Sequence, residues 1–154
     1  MTSQLYRSEW YIPGQLLYSA VWGKPTINDI MEYLVHCNEL SLTSESSFVH
    51  FITDYSFMLE SAKLVDLSRT LPKAFAPNPR IGWSVTIGEI NMLTKMSTSF
   101  GGQYLKIRQR TFPTFEQGLA FLRETCDTLD WDKADPTVPT RVLPSREEVY
   151  GDAV

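Results

Sequence analysis

The chain has 154 residues, a formal net charge of −4 from 14 Lys and Arg against 18 Asp and Glu, and 43% hydrophobic residues. That length and composition suit one globular domain able to build a core without metals or disulfides. The acidic balance excludes a general nucleic-acid binder, which needs a basic stripe to neutralise phosphates. Lys106, Arg108 and Arg110 share one strand face and read as a solvated face. No apolar run reaches the roughly 18 residues of a membrane span. The stretch from Met1 to Glu9 carries no apolar leader segment, so a cytoplasmic protein is expected.

Ser8-Glu9-Trp10-Tyr11-Ile12 reads as a strand, Pro13-Gly14 as a turn, and Leu16-Leu17-Tyr18-Ser19-Ala20-Val21-Trp22 as a second strand, together a hairpin. Gly23-Lys24-Pro25 leads into a helix. Thr26 is placed to N-cap it, with Asp29 completing a capping box. Ile27, Ile30, Met31, Leu34 and Val35 recur at helical spacing as one inward stripe.

After the polar loop Ser44-Glu45-Ser46-Ser47 comes Phe48-Val49-His50-Phe51-Ile52-Thr53, a near-continuous apolar run that predicts a central strand buried on both faces. It breaks into Asp54-Tyr55-Ser56. A second helix is predicted over residues 62–71, ended by Pro72, Pro77 and Pro79. Residues 80–87 read as the fourth strand, 91–100 as a third helix stopped by Gly101-Gly102, and 104–111 as the fifth strand. Thr114 and Gln117 form a capping box for the last helix, whose inward stripe is Phe115, Leu119, Leu122 and Cys126.

The order is therefore β-β-α-β-α-β-α-β-α: an α/β domain with a mixed, mostly parallel five-stranded sheet and about four helices. Residues 1–130 make up this domain. Residues 131–154 hold Pro136, Pro139, Pro144 and many charges without periodicity. They read as a loosely attached or disordered tail that Trp131, Val142 and Leu143 could pin to the body.

This order, with the Trp22-Gly23 corner, the strand from Val49 to Asp54 followed by Ser56, and the Ile81-Gly82-Trp83 strand start, resembles the SpoIIAA-like or STAS-like domains that include anti-sigma-factor antagonists. The residues look like a bacterial branch of that group rather than the true sigma regulators. The resemblance implies a non-enzymatic interaction or regulatory domain with a protein partner. It also implies a serine after the third strand, at the start of the second helix, that a partner kinase phosphorylates. Ser56 takes that place and Asp54 that of the acid before it. Where the family continues with a small residue, this chain has Phe57, Met58 and Leu59.

The plainer reading, which the frequency of these residue types at turns favours, is that Asp54 and Ser56 simply make an Asx-type turn or cap a helix, and Thr53 is a weaker hydroxyl candidate. Phe57, Met58 and Leu59 form an apolar step where a loop is normally polar, which suits an interface or a lid. With Trp10, Tyr18, Trp22 and Trp83 they could line a groove for an apolar small molecule or lipid, or a contact between two copies of the chain. Ordinary core packing accounts for the same residues. The alternative function is thus a small-molecule or lipid-binding module gated by residues 57–59.

The two cysteines, Cys37 and Cys126, lack CxxC spacing and read as small buried apolar residues. His36 and His50 are too few to hold a metal, and His50 reads as a hydrogen-bonded buried residue. Glycine-rich phosphate loops are absent. No cofactor, metal or catalytic constellation is expected.

Overall fold

In a computed structural model of the chain, residues 4–60, 66, 69, 78–88 and 108–151 are described. Strands β1 (Tyr6–Ile12), β2 (Leu16–Val21), β3 (Val49–Asp54), β4 (Ile81–Ile87) and β5 (Arg108–Phe112) form one sheet in the order β1-β2-β3-β4-β5. The β1–β2 hairpin is antiparallel and every other pairing is parallel. β3 lies in the middle, and all six of its residues are buried. Its near-continuous apolar run has this cause: a central parallel strand covered on both faces has no side to present to water.

Helix α1 (Ile27–Thr43) begins at the anticipated capping box. Thr26 Oγ1 accepts the Asp29 N–H, and Asp29 accepts the Thr26 N–H at 2.7 Å. Its inward line differs from the apolar stripe expected. Tyr33, Cys37 and Ser41, four residues apart, are the buried positions, and Val35 is exposed. The phenol of Tyr33 has buried partners among the sheet hydroxyls, with Thr53 Oγ1 at 2.6 Å, so a polar-tipped residue fills a core position. Helix α2 (Phe115–Thr125) starts at the Thr114–Gln117 capping box and turns Leu122 inward as expected. The predicted helix over residues 91–100 lies outside the described residues. So does most of that over 62–71, where Asp66 and Arg69 are helical.

Strand alternation divides the sheet into two faces. Leu17, Val21, Val49 and Phe51 pack with Tyr33 and Cys37 of α1. Leu16, Tyr18, Ala20, Trp22, Ile52, Val85 and Ile87 pack on the other side with Leu122 of α2.

Residues 131–151 correct the expectation of a loose tail. They contain a 3-10 turn (Trp131–Lys133) and two short helices, α3 (Val138–Val142) and α4 (Arg146–Tyr150). Val138, Val142 and Val149 are buried in the same cluster as Tyr18 and Trp22. Arg7 of β1 fastens the segment, donating to both Glu148 carboxylate oxygens and to the carbonyls of Val142 and Leu143. The cause is uncovered area. Helix α2 lies against β4 and β5, and the apolar face of β1 and β2 is covered by this C-terminal segment. Its three buried valines are too sparse among prolines and charges to register as a periodic pattern.

Candidate functional site at the carboxyl end of the third strand

Asp54 ends β3 on the α2 side, opposite Ala20 of β2 and Ile87 of β4. Its carboxylate is nearly enclosed, with the residue 6% exposed. One oxygen accepts the Tyr18 hydroxyl at 2.9 Å and the other accepts the Ser56 backbone N–H at 2.9 Å. The second bond closes an Asx turn. Burial, and after it the Asp54 charge, raise the Tyr18 phenol well above its usual range, so it stays protonated as a donor. Asp54 therefore acts as a fixed strut that turns the chain out of the sheet.

Beyond the strut, the Tyr55 N–H still donates to Ile87 O at 2.9 Å. Ser56 is exposed and stands against Gly88, which has φ +118°. A Cβ on Gly88 would lie 2.9 Å from Ser56 N and 3.0 Å from Ser56 Oγ, so both conformation and space demand glycine there. Residues 57–59 are not a free loop. The Gly23 N–H donates to Phe57 O at 3.1 Å, and the Leu59 N–H donates to Gly23 O at 2.7 Å. This bridge carries the β2–β3 pairing past the strand ends. Met58 packs inward against the α1-side cluster, while Phe57 (39%) and Leu59 (42%) remain exposed. The expected helix start at Ser56 is not found: residues 55–60 form turns and the bridge.

The structure thus brings Asp54, Ser56, Phe57, Met58, Leu59 and the Trp22-Gly23 corner together. It separates Trp83 from them. Trp22 follows the carboxyl end of β2, buried beneath the Arg7 guanidinium at 5.0 Å. Beside it lies a groove of about 240 Å³ lined by Gln4, Tyr6, Arg7, Trp22 and Glu148. Trp83 lies near the amino end of β4, edge-on to Phe121 at 5.0 Å. Trp10 packs on the α1 side and Tyr18 on the α2 side. The four aromatics expected to share one groove are divided between two faces and two ends of the sheet. Sequence reading singled out the Trp22-Gly23 corner but not its bridge to residues 57–59, and it missed Gly88; the signal was a glycine directly after the fourth strand pattern.

The histidines do not join this site. His50 is buried near the amino end of β3, and its Nδ1 accepts the Trp83 N–H at 2.8 Å. Burial, with Arg108 adding to it, pushes the imidazole down to about 4. Cys126 Sγ lies 4.0 Å from the same nitrogen. Burial raises the Cys126 thiol and pushes that of Cys37 up to about 12. Among the described residues no cluster of three His, Cys, Asp or Glu could hold a metal, and no helix is long and apolar enough to cross a membrane.

Neither a protein-family model nor a curated protein matches the chain. A crystal structure of an uncharacterised protein of the DUF3478 family with a SpoIIAA-like fold, from Shewanella loihica PV-4, superposes with a TM-score of 0.51 at 18% sequence identity. The match covers 79% of this chain and 98% of that one. The protein has a SpoIIAA-like α/β fold.

Proposed function

We propose that this is a non-enzymatic, cytoplasmic interaction domain that docks a protein partner at the carboxyl-end corner of β3 and is regulated by phosphorylation of Ser56. One observation carries the reading: the exposed Ser56 stands beside two exposed apolar side chains, Phe57 and Leu59, on a backbone fixed from both sides. Phe57 and Leu59 are suited to enter pockets of a partner. The turn is held by the Asp54 carboxylate and by Gly23, so docking orders little that is not already ordered. The Asp54 oxygens are occupied by the Tyr18 and Ser56 donors, which favours a structural over a catalytic carboxylate.

A phosphate on Ser56 adds about −1.5 to −2 charges at the centre of this surface. It would sit next to the Asp54 charge and beside two apolar anchors. A partner shaped for a neutral hydroxyl would be rejected on both counts. Gating of an apolar pocket by residues 57–59 would have to break both hydrogen bonds to Gly23, so the geometry favours docking over gating.

The test is mass spectrometry of the protein from its native cells, together with partner capture by Ser56→Ala and Ser56→Asp variants. Phosphate is expected on Ser56. Partners should be retained by Ser56→Ala and lost by Ser56→Asp. Retention of the same partners by both variants at equal strength would overturn the reading.

A further inference from the structure

We propose that the β5 edge, through Arg108 and Arg110, is a second docking surface, fitted to an extended acidic segment of a partner protein. The register sets Arg108 beside Trp83 and Arg110 beside Val85, so both arginines project on the α2 side of the sheet. They are two residues apart on one strand face, about 7 Å from each other along the chain. Both are exposed, yet neither is loose. The Arg108 guanidinium lies 5.0 Å from the Trp83 ring, and that of Arg110 lies 5.0 Å from Phe121 and 5.5 Å from Phe112. These rings also contact one another, Phe121 at 5.0 Å from Trp83 and at 5.3 Å from Phe112.

Stacking of this kind holds the planar fork at low entropic cost while leaving its N–H edge outward. Arg7 and Arg141 spend their charge on Glu148, Glu9 and Asp135. Among the described residues, no carboxylate forms an ion pair with Arg108 or Arg110. Asp127 and Arg108 both act on the Cys126 thiol, yet no ion pair joins them. Two ordered cations that pair with no carboxylate among the described residues, on the surface of a chain of net charge −4, call for an anionic partner.

The spacing selects its form. In an extended segment, carboxylates at alternate positions fall on one side at the same repeat as Arg108 and Arg110, and each can engage one fork. Nucleic acid is the poorer fit, because the acidic body offers no continuous basic track for its backbone.

The probe is a fluorescein-labelled peptide alternating valine and glutamate, read by fluorescence anisotropy against the full chain. A peptide alternating valine and lysine and a labelled single-stranded oligonucleotide serve as comparisons. Binding of the glutamate peptide is expected, weakening as sodium chloride is raised. It should fall by about tenfold or more in Arg108→Gln/Arg110→Gln and by less in Arg108→Lys/Arg110→Lys, which keeps the charge. Ser56→Ala should leave it unchanged, which separates this surface from the Ser56 corner. The proposal is overturned by the absence of binding, by equal binding to the lysine peptide, or by equal binding in the glutamine variant. Tighter binding of the oligonucleotide would also overturn it, as would self-association of the chain that the glutamine variant abolishes. If the glutamine variant does not fold, the lysine variant, the salt series and the lysine peptide decide the matter.

Discussion

The Nδ1 of His50 accepts the backbone N–H of Trp83 across an irregularity in the β3–β4 ladder. Val49 pairs with Ile81, but Phe51 pairs with Ser84, so one strand carries an extra residue at this point. A bulge frees a backbone donor inside the sheet, and the imidazole takes it. The ring accepts at this position only while it is unprotonated there.

That relationship sets a pH dependence. Burial, then Arg108, lower the folded-state value to about 4 from the usual 6.5. Above pH 6.5 the ring is neutral in both states and its contribution to stability is complete. As pH falls from 6.5 towards 4 the unfolded chain takes the proton first, and stability declines, by on the order of 3 kcal/mol in all. Urea unfolding between pH 7 and 4 should show this slope in the native chain and a shallower one in His50→Gln. An unchanged slope in the variant would refute the assignment.

The same bulge makes Gly82 obligatory. A Cβ there would lie 2.4 Å from two atoms of the His50 ring. Gly82→Ala should therefore destabilise the fold by about 1–3 kcal/mol through overpacking in a buried sheet. A thermal midpoint equal to that of the native chain would show that the ring can move aside.

At the other end of β3, Tyr18→Phe removes the donor to a nearly enclosed carboxylate oxygen. The orphaned acceptor should cost about 1–3 kcal/mol. Hydrogen exchange at the Ser56 amide reports on the corner itself: faster exchange is expected in Tyr18→Phe, because Asp54 is then held by one bond fewer. Unaltered exchange together with native stability would remove Asp54 as the strut.

Both cysteines should resist alkylation. Cys37 is buried with its thiol near 12, and the Cys126 thiol is raised as well, so little thiolate exists in the folded chain. Iodoacetamide at pH 8 should label both slowly in buffer and rapidly in urea. Fast labelling of either in the native chain would contradict the burial.

Ending the chain after residue 130 deletes Val138, Val142 and Val149 from the cluster that covers Tyr18 and Trp22. Loss of their burial should cost on the order of 5 kcal/mol. The exposed sheet face should bind a hydrophobic dye that the full chain does not. The Arg7–Glu148 pair is half exposed and adds little beyond fastening the segment. A truncated chain of native stability would restore the picture of a dispensable tail.

Features that depend on local chemistry are legible in the amino-acid sequence. Thr26 with Asp29 and Thr114 with Gln117 act within one helical turn, so their capping boxes can be read from spacing alone. The apolar run of β3 stands for two-sided burial wherever it occurs, and the alternation of strand and helix restricts the sheet to a mostly parallel one. Other features join distant parts of the chain. Tyr18 meets Asp54 across 36 positions and Arg7 meets Glu148 across 141, and no periodicity marks either pair in advance. Strand register alone separates Trp22 from Trp83 and spreads four similar aromatics over two faces. Composition and periodicity determined the five strands, their order and the helices that Thr26 and Thr114 cap. Only packing decided that Asp54 is a strut, that Ser56, Phe57 and Leu59 share one surface, and that the C-terminal segment is part of the core, because a buried polar group or an uncovered apolar face is satisfied by whichever residue the fold brings near.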